Sequence, residues 1–183
     1  MDRDGAYELL SEYTHSPNLI KHALAVEVAM RRYARHFGGD EQLWAVVGLL
    51  HDFDYEQYPD LENHPFRGAE ILRERGWPEE VVEAVLAHAD HAGVERDTRL
   101  KQAIYAVDEL AGFIIATALV RPDRKLASVE VRSVKKKMKD ESFAAAVDRE
   151  QIIRGAEELG LPLDEHIGTV LEAMQSIAEE LEL

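Results

Sequence analysis

The sequence predicts an all-α protein, and three observations support this. Apolar residues recur at helical spacing along nearly the whole chain, no segment of useful length alternates like a half-buried strand, and glycine and proline mark the segment boundaries. The chain has 183 residues, 46% of them hydrophobic, which suffices for the core of a single domain. We expect one domain over residues 1–183, with a bundle over about residues 18–120 and C-terminal helices over about residues 126–183 packed on it.

Caps and helix breakers set the first four predicted helices, at about residues 17–37, 40–52, 65–76 and 78–88. Ser16-Pro17 places an N-cap before a proline at the first helical position, and Gly38-Gly39 ends that helix. The polar stretch 54–63 separates the second helix from the third, which follows Pro65. Trp77-Pro78 then begins the fourth helix.

The last four predicted helices cover about residues 98–120, 128–140, 148–160 and 164–183. The first of these places Ile104, Val107 and Ala111 on an apolar face, and the second is strongly basic. The segment Asp148-Arg149-Glu150-Gln151 has the form of a capping box and opens the third. The last helix begins at Asp164 and is expected to reach the C-terminus.

Composition excludes several classes of function. The chain has 21 Lys and Arg against 36 Asp and Glu, and this net charge of −15 disfavours nonspecific binding to nucleic acid or anionic membranes. It has no cysteine, so disulfides, zinc–cysteine sites, iron–sulfur clusters and cysteine nucleophiles are excluded. No apolar run approaches the ~18 residues of a membrane span. The N-terminus lacks the form of a signal peptide, so we expect a cytoplasmic protein.

Four ionisable residues lie where the helical spacing turns them toward the core. His22 falls on the apolar face of its helix, His51-Asp52 ends an apolar run, and Asp108 is in register with apolar neighbours. Burying an ionised carboxylate without a partner is very costly. Asp52 and Asp108 therefore need a cation, a strong hydrogen-bond donor or a water-filled cleft, and a divalent metal satisfies the histidines and carboxylates together.

Further histidines extend this set. His64 begins the run His64-Pro65-Phe66-Arg67-Gly68-Ala69-Glu70-Ile71-Leu72. His88 lies near the apolar side of the next helix and His91 is one turn further on, and the choice of ligand between them stays open. A histidine taken alone is more typical of a satisfied core side chain, and the His-Asp pair is weak evidence alone, whereas Asp108 within an apolar stripe is harder to explain in that way. The prediction therefore depends on the ordered combination. The six candidate ligands, which suit one octahedral ion or two ions that share a carboxylate, are His22, His51, Asp52, His64, His88 and Asp108.

The order of these residues resembles the HD domain, an all-α family of metal-dependent phosphohydrolases. The resemblance covers about residues 18–119 and includes the HDIG branch, whose members carry a similar His-Pro-x-x-Gly-Ala-x-x-Leu run. It implies a principal ion on His22, His51, Asp52 and Asp108. It also implies a second ion on His64 and His88, with Asp52 as the bridge. Such ligands suit Mn, Fe, Co, Ni or Mg.

The resemblance also suggests residues for proton transfer and substrate binding. Related enzymes place a working acidic residue just past the His-Asp pair, where this chain has Asp54 and Glu56, although a solvated acidic loop is the simpler interpretation. Arg67, Lys135 and Lys136 are candidates for binding substrate phosphate, the two lysines as part of the dense basic run 132–139. A surface ion pair for Arg67 and a solvated helix face for the lysines are the alternatives.

Three functions remain open at this point. The first is a metal-dependent phosphohydrolase that acts on a small phosphorylated metabolite or nucleotide, a monoester or a diester, through metal-activated water. The second is an HD-fold di-iron oxygenase related to myo-inositol oxygenase, and the third is a non-catalytic HD binding module. We expect a small phosphorylated substrate as partner, without a membrane or extended nucleic acid. The oligomeric state is left open.

Overall fold

The computed structural model describes residues 2–183, and within that range every regular element is helical. The all-α prediction is therefore confirmed. Two short 3-10 helices lie at Asp90–Ala92 and Leu126–Ser128. The described residues form nine α-helices: α1 Arg3–Tyr13, α2 Pro17–Phe37, α3 Glu41–Leu50, α4 Phe66–Glu74, α5 Glu79–Ala87, α6 Arg99–Leu119, α7 Val131–Met138, α8 Arg149–Leu159 and α9 Leu163–Gln175.

The two longest helices, α2 and α6, organise the bundle. Helix α2 packs against α3, α6 and α9, and α6 also packs against α5 and α8. Glycines allow two of these crossings to be close. A Cβ atom on Gly48 would lie 2.8 Å from the Cα atom of Glu27 on α2, and one on Gly155 would lie 2.5 Å from the Cα atom of Ala106 on α6. The α2–α3 and α6–α8 crossings thus depend on the missing side chains.

Contrary to the expectation that no apolar segment is long enough for a membrane span, helix α6 is long and apolar enough to cross a membrane by length and composition alone. Most of its apolar stretch is buried inside the bundle, and it carries Asp108 into the interior. Its apolar residues therefore form part of the core in this structure.

The structure differs from the predicted helices at both ends of the chain. Helix α1 was not predicted, although Asp2 caps it by accepting the backbone N–H of Gly5 at 3.0 Å, and Leu9 and Leu10 bury its inner face. Helix α9 ends at Gln175 rather than at the C-terminus, and turns follow it. The chain leaves the helix there and returns Leu181 to the core.

A buried histidine joins three helices. His166 on α9 donates its Nε2–H to the carbonyl oxygen of Ala106 on α6 at 2.9 Å. Because a carbonyl oxygen only accepts, the neutral ring accepts at Nδ1 from the hydroxyl group of Tyr33 on α2, at 2.6 Å. Burial lowers the pKa of His166 to about 4, so the ring is neutral near pH 7.

Candidate metal centre

The six predicted ligands meet at one place in the bundle. His22 projects from α2, His51 and Asp52 follow the last residue of α3, and Asp108 lies midway along α6. His64 stands just before α4 and His88 at the end of α5. They form two groups that share Asp52, and in each group one nitrogen or oxygen atom per residue lies within 4.8 Å of the others: His22, His51, Asp52 and Asp108, and Asp52, His64 and His88.

The first group is tightly arranged around one carboxylate oxygen. The Nε2 atom of His22 lies 3.0 Å from Oδ1 of Asp108, and Nε2 of His51 lies 3.3 Å from the same oxygen. The two Nε2 atoms are 3.1 Å apart. Oδ2 of Asp52 completes the group at 3.5 Å from Nε2 of His51.

The second group uses the other oxygen of Asp52. Oδ1 lies 3.2 Å from Nε2 of His64 and 3.3 Å from Nε2 of His88. Those two nitrogens are 3.1 Å apart. Asp52 therefore presents one oxygen to each group, which is the arrangement expected of a bridging carboxylate. His91 is not part of either group, and its Nε2 instead donates to the backbone carbonyl of His64 at 2.8 Å.

Hydrogen bonds on the far side of the rings show that these residues suit a divalent cation. The Nδ1 atom of His51 bonds the carbonyl of Gly48 at 2.8 Å, and that of His88 bonds the carbonyl of Val85 at 2.5 Å. Both rings thus carry a proton on Nδ1, and their Nε2 lone pairs point into the groups. Lone pairs that face each other repel, so either protons or a metal cation must lie among them.

Electrostatics support the same conclusion. Burial disfavours charge on His51 and His64, but the nearby carboxylates outweigh it and raise the pKa of His51 to about 9 and that of His64 to about 10. Burial also opposes charge on Asp52 and Asp108, but the histidines hold the pKa of each carboxyl below its usual value. Positive charge is therefore strongly favoured among these carboxylates, and a divalent ion would displace the protons that otherwise supply it.

Asp54 does not face the cavity, which corrects the expectation that it transfers protons to substrate. Its side chain is fully buried. One oxygen accepts the Nδ1–H of His64 at 2.8 Å, and the other accepts the backbone N–H of Gly68 at 2.8 Å. A Cβ atom on Gly68 would lie 2.9 Å from the carboxyl carbon, so the glycine makes room for Asp54. Asp54 is a positioning residue that orients His64.

Glu56 and Arg67 also lie away from the groups. Glu56 accepts the backbone N–H groups of His15 and Ser16, at 2.8 and 2.9 Å, and so caps the start of α2 where the Ser16 side chain makes no capping bond. Arg67 is exposed and pairs with Glu70 at 2.6 Å. Neither residue lines the cavity at the metal groups. For Arg67 the structure agrees with the alternative of a surface ion pair.

The basic run does not close over the metal groups. Lys135 pairs with Asp164 at 2.5 Å, and Lys136 lines separate cavities beside α7. The expected phosphate clamp is therefore corrected. Helix α7 packs against α6 and α9, and the cavities that its lysines line share no residue with the cavity at the metal groups.

The cavity beside the two groups, here called the metal cavity, has a volume of about 410 Å³. Several of the residues that line it were not predicted to be functional from the sequence, among them Tyr55, Glu109, Asp148 and Gln151. Glu109 follows the ligand Asp108 and was visible in the sequence. Asp148 and Gln151 begin α8, and only the packing of α8 on α6 brings them here.

Glu109 lines the metal cavity outside the two ligand groups, and its surroundings alter its titration. Its carboxylate accepts the backbone N–H of Asp148 at 3.1 Å. Burial, followed by the negative charge of Asp108, raises the pKa of Glu109 to about 7. A carboxyl group of that pKa exchanges protons readily near neutral pH.

Comparison with known proteins identifies the family. The family model of the HD domain matches residues 19–112, just over half of the chain. The chain belongs to the HD domain family. All six of the candidate ligands lie within the matched region. HD domains are typically metal-dependent hydrolase domains, so the family and the geometry agree.

Individual relatives of this HD domain protein are distant. It is 29% identical over 136 residues to a tRNA (cytidine(56)-2'-O)-methyltransferase from Thermoplasma volcanium, a match to 71% of this chain and 40% of that protein. It is 33% identical over 99 residues to a ribonuclease Y from Sulfurovum sp., covering 54% of this chain and 19% of the relative. A ribonuclease Y from Rhodopirellula baltica is 30% identical over 136 residues, covering 74% and 24%. The chain thus spans less than half of each relative, and no solved structure matches it.

Proposed function

We propose that this protein is a metal-dependent phosphohydrolase that hydrolyses a phosphate ester of a small metabolite or nucleotide. The observation that carries the proposal is the position of the Asp52 carboxylate, which presents one oxygen atom to each ligand group. Two divalent ions, when bound, supply an activated water nucleophile and polarise the phosphoryl oxygen. The protein's own part is to hold the imidazole and carboxylate ligands in place, through the bonds of Gly48, Asp54 and Val85 to the far side of the rings.

The size and the lining of the metal cavity favour a small substrate that binds directly at the ions. Its volume of about 410 Å³ lies within the range of small-molecule sites. Among the described residues that line it, none is Lys or Arg. Arg154, a cation beside its walls, is paired with Asp90 and Asp148, at 3.0 and 3.8 Å, so we propose that the bound ions supply the positive charge for a substrate phosphate. The relatives named as ribonucleases favour a nucleotide within this class of substrate.

Proton transfer is best served by Glu109. Its carboxyl group lines the metal cavity beside Asp108, whereas Asp54 is sealed beneath His64 and Glu56 caps α2. Glu109→Gln should therefore lower the hydrolysis rate by roughly 10²- to 10⁴-fold with metal content unchanged. Glu56→Gln removes a carboxylate outside the cavity and should leave both the rate and the metal content unchanged.

The proposal is tested by metal content and hydrolysis measured on the same samples. Protein purified without chelators, wild type beside Asp52→Asn and His64→Ala, is analysed for metals. It is then assayed on p-nitrophenyl phosphate, bis-p-nitrophenyl phosphate and a panel of nucleotides. We expect two ions per chain in the wild type, loss from both groups in Asp52→Asn and loss of one ion in His64→Ala. Hydrolysis should fall by at least about a hundredfold in Asp52→Asn.

Three results would reject this function. Undiminished hydrolysis in Asp52→Asn, or no metal after reconstitution with Mn, Fe, Co and Ni, would remove the basis for metal-dependent hydrolysis. Two bound irons together with substrate oxidation and O₂ consumption would instead establish the di-iron oxygenase.

A further inference from the structure

A second cavity, of about 690 Å³, lies between the C-terminal end of α6 and helix α7. Four cations and two apolar residues characterise it, and it is here called the basic cavity: Arg121, Arg132, Lys136, Lys137, Val120 and Pro122. It shares no lining residue with the metal cavity. Thr117, its nearest residue to the metal groups along α6, follows Asp108 by nine positions, which is about 13 Å of helix.

The cations of this cavity are poorly neutralised by the protein. Arg132 pairs with Glu130. In the part of the chain that the structure describes, Lys136 and Lys137 form no ion pair, and Arg121 donates to the hydroxyl oxygen of Ser128 at 3.2 Å. Three cations in a chain of net charge −15 thus face one cavity without a direct ion pair among the described residues. Hydrogen bonds from Ser128 and Ser142 chiefly lower the pKa of the Asp123 and Asp140 carboxyls, and the nearby charges of Arg121 and Lys137 add to this, but neither carboxylate forms an ion pair with these cations.

Helix α7 also keeps like charges close together. Arg132 and Lys136 are four residues apart, a spacing at which like charges destabilise a helix, and Lys137 is adjacent. The Nζ atom of Lys137 lies 4.4 Å from the ring centroid of Phe143, a contact that holds the ammonium group without neutralising it. An anion bound in the cavity would relieve this repulsion.

Two carboxylates at the cavity do not cancel its charge. Glu130 is engaged with Arg132, and Asp140 accepts the N–H and O–H groups of Ser142 at 3.2 and 2.7 Å. The lining still contains two more cations than carboxylates. Its volume is that of a site for a drug-sized or nucleotide-sized ligand.

We propose that the basic cavity binds a nucleoside triphosphate at a site separate from the metal centre. Arg121, Lys136 and Lys137 contact the phosphates, and Val120 and Pro122 contact the base. Val120 is 56% exposed, so an apolar surface is available there for a base to cover. The proposal does not depend on the proposed hydrolase activity, because it concerns residues outside the metal cavity.

The test is a calorimetric titration of ATP into the full chain at low ionic strength, after removal of metals by dialysis. We expect Lys136→Gln/Lys137→Gln to bind ATP at least about tenfold more weakly than the wild type. The matched control Lys21→Gln/Arg32→Gln removes two charges from other surface ion pairs and should bind ATP as the wild type does. Asp52→Asn should also bind normally, since the metal centre is not involved.

Ligand variants test the phosphate and base contacts separately. Adenosine should bind much more weakly than ATP, tripolyphosphate should bind several-fold more weakly than ATP, and added salt should weaken ATP binding. Thermal melting followed by circular dichroism checks that Lys136→Gln/Lys137→Gln is folded, and Arg121→Gln provides the same test at a residue just past the end of α6.

Several outcomes would overturn the proposal. These are no ATP binding by the wild type at millimolar concentration, an equal loss in Lys21→Gln/Arg32→Gln, or a loss in Asp52→Asn that Lys136→Gln/Lys137→Gln does not share. Adenosine that binds as tightly as ATP would exclude the phosphate contacts. Tripolyphosphate that binds as tightly as ATP would exclude the contact with the base.

Discussion

The carboxylate of Asp54 provides a direct test of how the second ligand group is held. It is fully buried and accepts two hydrogen bonds of 2.8 Å, from Nδ1–H of His64 and from the backbone N–H of Gly68. Asp54→Asn keeps the shape of the side chain but replaces one accepting oxygen with an NH₂ group. In either orientation of the amide, its NH₂ group then faces the N–H group of His64 or that of Gly68.

The size of the effect follows from these two bonds. A hydrogen bond to a charged group contributes about 1.5–3 kcal/mol, and about 1.4 kcal/mol is a tenfold change in an equilibrium constant. If the His64 bond is lost, the ring is no longer fixed and the second ion binds roughly 10- to 100-fold more weakly. If the Gly68 bond is lost instead, part of this cost appears as lower stability. We expect the ion on His22, His51 and Asp108 to be affected by no more than about twofold.

Calorimetric titration with Mn²⁺ measures both affinities, with Glu56→Gln as the matched control and His64→Ala as the reference for complete loss of the second ion. Hydrolysis is measured on the same samples. The reasoning would be refuted if Asp54→Asn bound both ions with wild-type affinity and yet lost hydrolysis. That result would mean that Asp54 transfers protons to substrate, as its position after the His-Asp pair first indicated.

Three further predictions concern protons and packing. His51 and His64, with pKa values of about 9 and 10, are protonated at pH 7 without metal, so Mn²⁺ should release a proton from each. Its affinity should then rise with pH by up to about tenfold per unit per proton, and a pH-independent affinity in calorimetry would contradict this. Gly155→Ala should lower the free energy of unfolding by about 1–3 kcal/mol, because the new Cβ atom would lie 2.5 Å from the α6 backbone. The control Gly168→Ala, whose Cβ atom would have its nearest contact at 3.7 Å, should be neutral or stabilising. Equal urea-unfolding midpoints for the two variants would contradict the close crossing. His166 has a pKa of about 4 in the fold against 6.5 normally, so its contribution to stability is complete above about pH 6.5 and is lost as pH falls toward 4. Over that range the wild type should lose up to about 3 kcal/mol more than His166→Asn, measured by urea unfolding, and parallel pH profiles would disprove the assignment.

That these ionisable residues would lie close together was predictable, because burying charge requires compensation that is visible in the sequence. A carboxylate in register with an apolar helix face, as Asp108 is, requires compensation that the helix cannot itself supply. His22 on α2 and His51-Asp52 directly after α3 likewise place ionisable side chains next to apolar ones. Glycine, proline and capping residues also indicated most helix boundaries. The side chain of Asp148 caps α8 as expected, but its own backbone N–H is bound by Glu109 rather than by Gln151, so the second half of the capping box does not form.

Features that depend on tertiary packing were not predictable in this way. Asp54 and Glu56 are both acidic residues in one polar loop, and nothing local shows that one turns inward beneath His64 while the other caps α2. Asp148 reaches the metal cavity only because Gly155 lets α8 approach α6 closely. Helix α1 has a short apolar face that resembles many exposed segments until α3 packs on it.

The misplaced phosphate clamp has an electrostatic reason that connects the two cavities. A Lys or Arg about 8 Å from a bound divalent ion would repel it by about 4 kcal/mol at an effective dielectric constant of about 20. This energy corresponds to roughly a thousandfold in metal affinity. A wall without Lys or Arg, as the described residues show around Asp52, therefore favours metal binding, and the bound ions can hold the phosphate themselves. The basic run is compatible with the centre only at a distance, and the basic cavity that it lines shares no residue with the metal cavity and meets α6 at Thr117, about 13 Å of helix past Asp108.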